Sequence, residues 1–203
     1  MVNLLFFFFI IVPSAIIHEF AHAWAAFMLG DRTAKDFGRL TINPLPHLDL
    51  FGTILMPIFL FFISGGRFLF AYAKPVPFNP YNLRSKKYGP GLVSAAGPLT
   101  NLIVALVFGL SVRFLPLGDF TFFLSIVVYA NILLAVLNLM PIPPLDGSRI
   151  LFALLPASFK RYEMVIERYG FLFIFLIIYL LFPLIFPVIF WLFELIVGRP
   201  FIV

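Results

Sequence analysis

SAIIHEFAHAWAA (residues 14–26) puts two histidines and a glutamate inside a run that otherwise has the composition of a membrane-spanning helix. The apolar run covers residues 2–29. At ~1.5 Å per residue it is long enough to cross a ~30 Å hydrocarbon core. Ionisable groups are costly there, so they persist where they have a partner and a task. The rest of the chain is of the same kind. Of 203 residues, 63% are apolar and 11% are charged, and mean hydropathy is +1.09. Soluble domains carry about a quarter charged residues. Apolar runs recur along the whole length, so a cleaved signal peptide does not account for them. One integral membrane domain over residues 1–203 is expected, because no polar stretch is long enough for a separate soluble unit.

Further spans are expected at 91–112, 121–140 and 171–197. Residues 30–50 are polar and turn-rich, and GRLTIN (38–43) alternates like a short strand. FGTILMPIFLFFI (51–63) is apolar but short, with Pro57 inside it and Ser64-Gly65-Gly66 after it; such runs re-enter more often than they cross. AYAKPVPFNP (71–80) cannot be helical, since its prolines remove donors and force extended neighbours. MPIPPLDG (140–147) breaks the chain, and Asp146-Gly147 opens a new amphipathic piece.

His18 and His22 are four residues apart and share one helical face. At that spacing two imidazoles can hold one Zn²⁺. Glu19 follows the first histidine directly, where it reaches a water on the metal rather than the metal itself. This is the H-E-x-x-H arrangement of zinc peptidases. A catalytic zinc takes three protein ligands and keeps one position open. The chain has no cysteine, which excludes thiolate ligands and disulfides. His47 is the remaining histidine. The acids beyond the first helix are Asp31, Asp36, Asp49, Asp119, Asp146, Glu163, Glu167 and Glu194. Most lie in charged loops, where solvation explains them. Asp146 differs because it follows a long apolar span and sits among prolines beside a glycine.

Three segments carry a resemblance: HEFAH (18–22), AGPLTN (96–101) and NLMPIPPLDG (138–147). Together they resemble the site-2 protease family of intramembrane zinc metalloproteases, peptidase family M50. The last segment matches that family's N-x-x-P-x-x-x-x-D-G pattern, with Asn138, Pro141, Asp146 and Gly147 in register. The closest likeness is to the compact prokaryotic members that lack PDZ or CBS domains. The resemblance implies an all-α polytopic membrane protein. A three-helix core is followed by a C-terminal span, and a membrane re-entrant helix and β-hairpin insert occupies about 38–80. It implies zinc ligation by His18, His22 and Asp146, with Glu19 as general base. It makes Asn138 a contact for substrate or oxyanion. The implied activity is endopeptidase cleavage in or near transmembrane segments of other membrane proteins, in the cytoplasmic membrane of a prokaryote.

The ligand set imposes a parity rule. His22 lies seven residues before the end of the first helix, and Asp146 lies just past the span 121–140, so both must be near one face of the bilayer. Residues 51–80 must then leave and return on the same side. That topology places twelve of the fourteen lysines and arginines on one side, with Arg113 and Arg199 on the other. Full crossing by 51–70 would give eight against five and bury Arg67. The positive-inside bias favours the first arrangement, with the N-terminus outside and the site facing the cytosol. The same bias accounts for the +5 net charge without nucleic acid.

Within the insert, 71–79 is expected to return as an extended strand. Pro75 and Pro77 remove donors from one edge, and Lys74, Val76 and Phe78 keep theirs on the other. That edge could pair with an unwound substrate segment by strand addition, or with residues 38–43. His47 and Asp49 could approach the metal. Asn101 needs a partner inside the membrane, most simply in helix packing.

Other functions fit less well. A non-enzymatic metal-binding protein or metal transporter would explain the histidines but not Glu19 or the Asn138–Gly147 register. A di-iron membrane oxygenase needs more than three histidines. A membrane peptidase with a glutamate third ligand needs a soluble domain.

Overall fold

The computed structural model describes residues 4–65, 74–156, 159 and 183–201, with backbone alone at 4–8 and 54. The charged segment 157–169 (apart from Phe159), the first part of the last expected span (171–182) and residues 66–73 of the insert lie outside the described residues. In chain order the helices are α1 (Leu4–Met28), α2 (Thr33–Asp36), α3 (Met56–Ile63), α4 (Gly89–Phe114), α5 (Asp119–Asn138), α6 (Asp146–Leu154) and α7 (Pro183–Val197). α1, α4 and α5 are long and apolar enough to cross a membrane. The protein is thus an all-α polytopic membrane protein.

α4 is the hub and packs against α1, α5 and α6. Its inward face is rich in small residues, among them Gly97, Ala105 and Gly109. Small residues let helix backbones approach closely where lipid offers no hydrophobic drive. Ala105, Val112, Val128, Ile132, Ile189 and Phe193 close the core between α4, α5 and α7. On the opposite side, Leu92, Leu99, Ile103 and Val107 are all exposed. Their spacing keeps them on one stripe of α4, apolar and outward-facing, which suits lipid rather than water.

α1 closes at Gly30, whose φ of +107° allows the Asp31 amide to return to the Ala26 carbonyl at 2.9 Å. Asp31 is fully buried. Its carboxylate accepts from Thr33 N–H (3.1 Å), Thr33 Oγ1 (2.6 Å), Asn79 N–H (2.7 Å) and Asn82 Nδ2 (2.9 Å). One carboxylate therefore ties the end of the first helix to the far end of the insert. Burial opposes its ionisation. The donors from Thr33, Asn82 and Asn79 outweigh burial and hold it below the ordinary carboxylate range.

A folded pKa below the unfolded ~3.9 means the stabilisation is complete above about pH 4 and is lost as pH falls through the folded value. Asp31→Asn is expected to melt below wild type at pH 7, and the gap should close as pH falls below about 4. Thermal melts in detergent at pH 7 and pH 3 check this; a gap independent of pH would count against it.

The insert differs from expectation in one respect. Among the described residues there is no strand ladder, and 38–43 form bends rather than one arm of a hairpin. Residues 74–79 form neither helix nor strand, and the N–H groups of Lys74, Val76 and Asn79 go elsewhere. Lys74 N–H reaches the His47 carbonyl (2.9 Å), Val76 N–H reaches Glu19, and Asn79 N–H reaches Asp31. Pro75 and Pro77 have no N–H to give, and the Pro75 carbonyl accepts from the Arg39 guanidinium (2.8 Å). Side chains and a turn satisfy this strap in place of a partner strand.

Before α3, residues Leu50–Leu55 form a widened π-helical turn. It sits directly ahead of Pro57, which has no N–H to return to the preceding turn. Leu50–Ile63 together remain too short to cross ~30 Å.

Candidate metal centre

His18, Glu19 and His22 occupy one stretch of α1, and α4 and the start of α6 pack across it. Each imidazole is fixed at Nδ1 by an oxygen acceptor on α4. His18 Nδ1 donates to Asn101 Oδ1 (2.5 Å), and His22 Nδ1 donates to the Val93 carbonyl (2.7 Å). The rings stand nearly perpendicular, at 87° with centroids 4.6 Å apart. Both histidines are buried.

With their Nδ1 protons committed to oxygens, both rings turn an Nε2 lone pair inward. Those atoms lie 3.0 Å apart, and each is 3.1 Å from Asp146 Oδ2. Three possible ligand atoms thus face one another, an arrangement that can hold a metal cation at its focus. The triangle is close to the roughly 3.3 Å edges that three donors of a tetrahedral ion have at ~2.0–2.1 Å bonds. Among the described residues this is the one cluster of histidine and carboxylate groups able to hold a metal.

Two glycines make the space. A Cβ at Gly97 of α4 would lie 2.5 Å from both His18 Nε2 and His22 Nε2. The helix therefore leaves a hollow where the lone pairs converge. A Cβ at Gly147 would collide with the carbonyl oxygens of Leu139 and Met140. Backbone packs on backbone there, and this contact folds the loop back so that Asp146, in the first turn of α6, reaches α1. His22 of α1 and Asp146 of α6, distant in sequence, are thus brought within 3.1 Å of each other.

Glu19 stands outside the triangle, as its position after His18 implies. Its Oε2 accepts from Val76 N–H at 2.8 Å, and Val76 is itself buried against Ala23 and Ala34. Phe78, two residues on, lies under the guanidinium of Arg149 of α6, 5.3 Å from the ring centroid. The strap therefore runs directly over the site.

The remaining residues singled out in the sequence stand elsewhere. Asn138 donates from Nδ2 to the Leu134 carbonyl of its own helix (2.9 Å). His47 is buried and donates from Nε2 to the Thr41 carbonyl (2.8 Å). Asp49 caps the π-helical turn, accepting from Gly52 N–H at 2.6 Å. Neither His47 nor Asp49 joins the metal cluster. Sequence reasoning missed the Val93 carbonyl, the hollow at Gly97 and the grip of Asn101 on His18. A backbone carbonyl leaves no trace in sequence. Asn101 did: an amide in an apolar span needs a partner.

In a helical membrane core, two histidines and an aspartate thus converge beside a glutamate as a cluster that can hold a metal ion. The chain belongs to peptidase family M50, whose model matches residues 114–181. It is 37% identical over 172 residues to "Putative zinc metalloprotease YwhC" of Bacillus subtilis, covering 80% of this chain and 74% of that one. It is 31% identical over 164 residues to "Putative zinc metalloprotease Rip2" of Mycolicibacterium smegmatis, covering 79% of this chain and 61% of the relative. Rip2 of Mycobacterium tuberculosis is 31% identical over 137 residues, 66% of this chain and 51% of that one. No solved structure matches the chain significantly. The family and the relatives' names imply Zn²⁺ as the metal, and the His18, His22 and Asp146 cluster suits it.

Proposed function

We propose that the protein is an intramembrane zinc endopeptidase, with His18, His22 and Asp146 as ligands and Glu19 as general base. The observation that carries this is the convergence of two Nε2 lone pairs and a carboxylate oxygen, with Glu19 beside them and outside the ligand set. When bound, Zn²⁺ supplies Lewis acidity that brings water into the acid–base range of neutral pH. Glu19 takes the water proton as the oxygen attacks the scissile carbonyl, and returns it to the amide nitrogen as the C–N bond breaks. Asn138, at the C-terminal end of α5, is assigned to the substrate or oxyanion; one Nδ2 hydrogen goes to the Leu134 carbonyl, and the amide has a second to give. The whole of residues 1–203 acts as one membrane-embedded protease domain.

The substrates are transmembrane segments of other proteins. Phe59, Phe62 and Ile63 of α3 are each more than 60% exposed, which suits a helix dipping into lipid as a re-entrant element. The charge distribution supports a cytoplasmic membrane location with the N-terminus outside and the site toward the cytosol.

The strap couples substrate to base. A substrate strand pairing along Lys74, Val76 and Phe78 would take the Val76 N–H now held by Glu19. It would thereby leave the carboxylate to the water. Val76→Pro deletes that donor. Cleavage is expected to be lost while zinc content stays at one per chain; activity equal to or above wild type would remove the strap from substrate binding.

The function itself is tested by comparing membrane proteomes from cells carrying wild type or Glu19→Gln protein. An intact membrane protein that accumulates only with the variant supports proteolysis. Unchanged membranes, with zinc flux retained in the variant, would favour a metal carrier.

A further inference from the structure

Behind the metal site lies a second layer of buried polar side chains, reaching from His18 across α4 to α5 and back to α1. Asn101 is fully buried, and so is Asn131 of α5. Asn101 Nδ2 donates to Asn131 Oδ1 (2.8 Å) and to the Ser14 carbonyl (3.3 Å). Asn131 Nδ2 donates to the Val127 carbonyl (2.9 Å) and to Ser14 Oγ (3.0 Å). Ser14 Oγ in turn donates to the Ile10 carbonyl (2.9 Å).

The direction of this chain is set at its far end. Backbone carbonyls accept and never donate. The Val127 carbonyl therefore fixes which end of the Asn131 amide is NH₂, and Asn131 presents its oxygen to Asn101. Asn101, held also by the Ser14 carbonyl, must answer with its own NH₂. Its oxygen is then left for His18 Nδ1, which must carry the proton, and the Nε2 lone pair is aimed at the metal focus. Reversing any amide would set donor against donor or oxygen against oxygen. Simple helix packing would not require this consistent polarity along four groups.

We propose that Ser14, Asn131 and Asn101 form a relay that locks the tautomer and orientation of His18. Asn131 and Ser14 are positioning residues that act on the metal through Asn101. The inference rests on the assignment of His18 as a zinc ligand, so the test must separate the two.

The experiment measures zinc affinity by chelator competition, and the visible spectrum of the Co²⁺-loaded protein, for full-length chains in detergent. Asn131→Leu and Asn101→Leu are each expected to weaken zinc by about 10–100-fold, the usual cost of losing an outer-layer partner. The double variant should bind no worse than Asn101→Leu alone, because Asn131 works through Asn101. Ser14→Ala, which leaves the helix intact, should weaken zinc by a few-fold and perturb the Co²⁺ spectrum in the same direction as Asn131→Leu. Wild-type zinc affinity in Asn131→Leu, or losses in the two variants that multiply in the double, would overturn the relay. If His18→Ala binds zinc as well as wild type does, the ligand assignment fails, and the relay with it.

Discussion

Glu19→Gln is expected to lower peptide-bond cleavage by about 10²–10⁴-fold, the range general-base catalysis supplies, while zinc binding stays within about twofold of wild type. The variant separates chemistry from architecture because of what the amide retains. A side-chain amide at this position still offers an oxygen to Val76 N–H, which sits 2.8 Å from Glu19 Oε2 in the native protein, so the strap keeps its anchor. That amide cannot take a proton from water at neutral pH. The ligand triangle of His18, His22 and Asp146 does not include residue 19 and is untouched. Cleavage of a transmembrane peptide in vesicles, measured beside zinc content, gives both quantities on one preparation. Retained cleavage would remove Glu19 from the mechanism. Loss of zinc with loss of cleavage would make Glu19 a structural residue of the metal site.

Gly97→Ala should have the largest effect on zinc binding itself, and for a different reason. The added Cβ would lie 2.5 Å from both Nε2 atoms. Such a contact is cheap where a side chain can swing away. Here His18 is held at Nδ1 by Asn101 and His22 by the Val93 carbonyl, so neither ring can withdraw without giving up a buried hydrogen bond. Overpacking of this kind costs about 1–3 kcal/mol. Falling on the bound state, it weakens zinc by roughly 5- to 150-fold, and cleavage at limiting zinc should fall with it. Gly109→Ala on the same helix is the control. Its Cβ would press on Ile196 Cγ2 of α7, so it strains packing away from the metal and should leave zinc affinity alone. Equal zinc affinity in wild type and Gly97→Ala would mean that the hollow is not where the metal sits.

Legibility in the sequence tracked the range of the interaction. Local patterns survive in one dimension. The spacing of His18 and His22 is set by helix geometry, and so is the exclusion of Glu19 from the ligand face. The length and apolarity of α1, α4 and α5 announce membrane spans, and the Asn138–Gly147 pattern pointed to Asp146 across more than a hundred residues. The insert was read less well. Its alternation suggested a hairpin. Its amides are instead taken by Glu19, Asp31 and a turn at His47, partners that no local pattern pairs with residues 74–79.

By itself, then, the sequence determined a helical membrane protein of a zinc metalloprotease family and singled out two histidines, an aspartate and a glutamate as its candidate site. Composition dictates the solvent a chain must face, and helical period dictates which neighbours share a face. Only the tertiary structure decided that Gly97 leaves a hollow against His18 and His22, that the Val76 N–H is held by Glu19, and that polarity runs from the Val127 carbonyl through two amides into His18. Each depends on atoms from separate helices meeting within about 3 Å. Such a meeting is fixed by packing, because a buried polar group must find its partner wherever the fold has placed one.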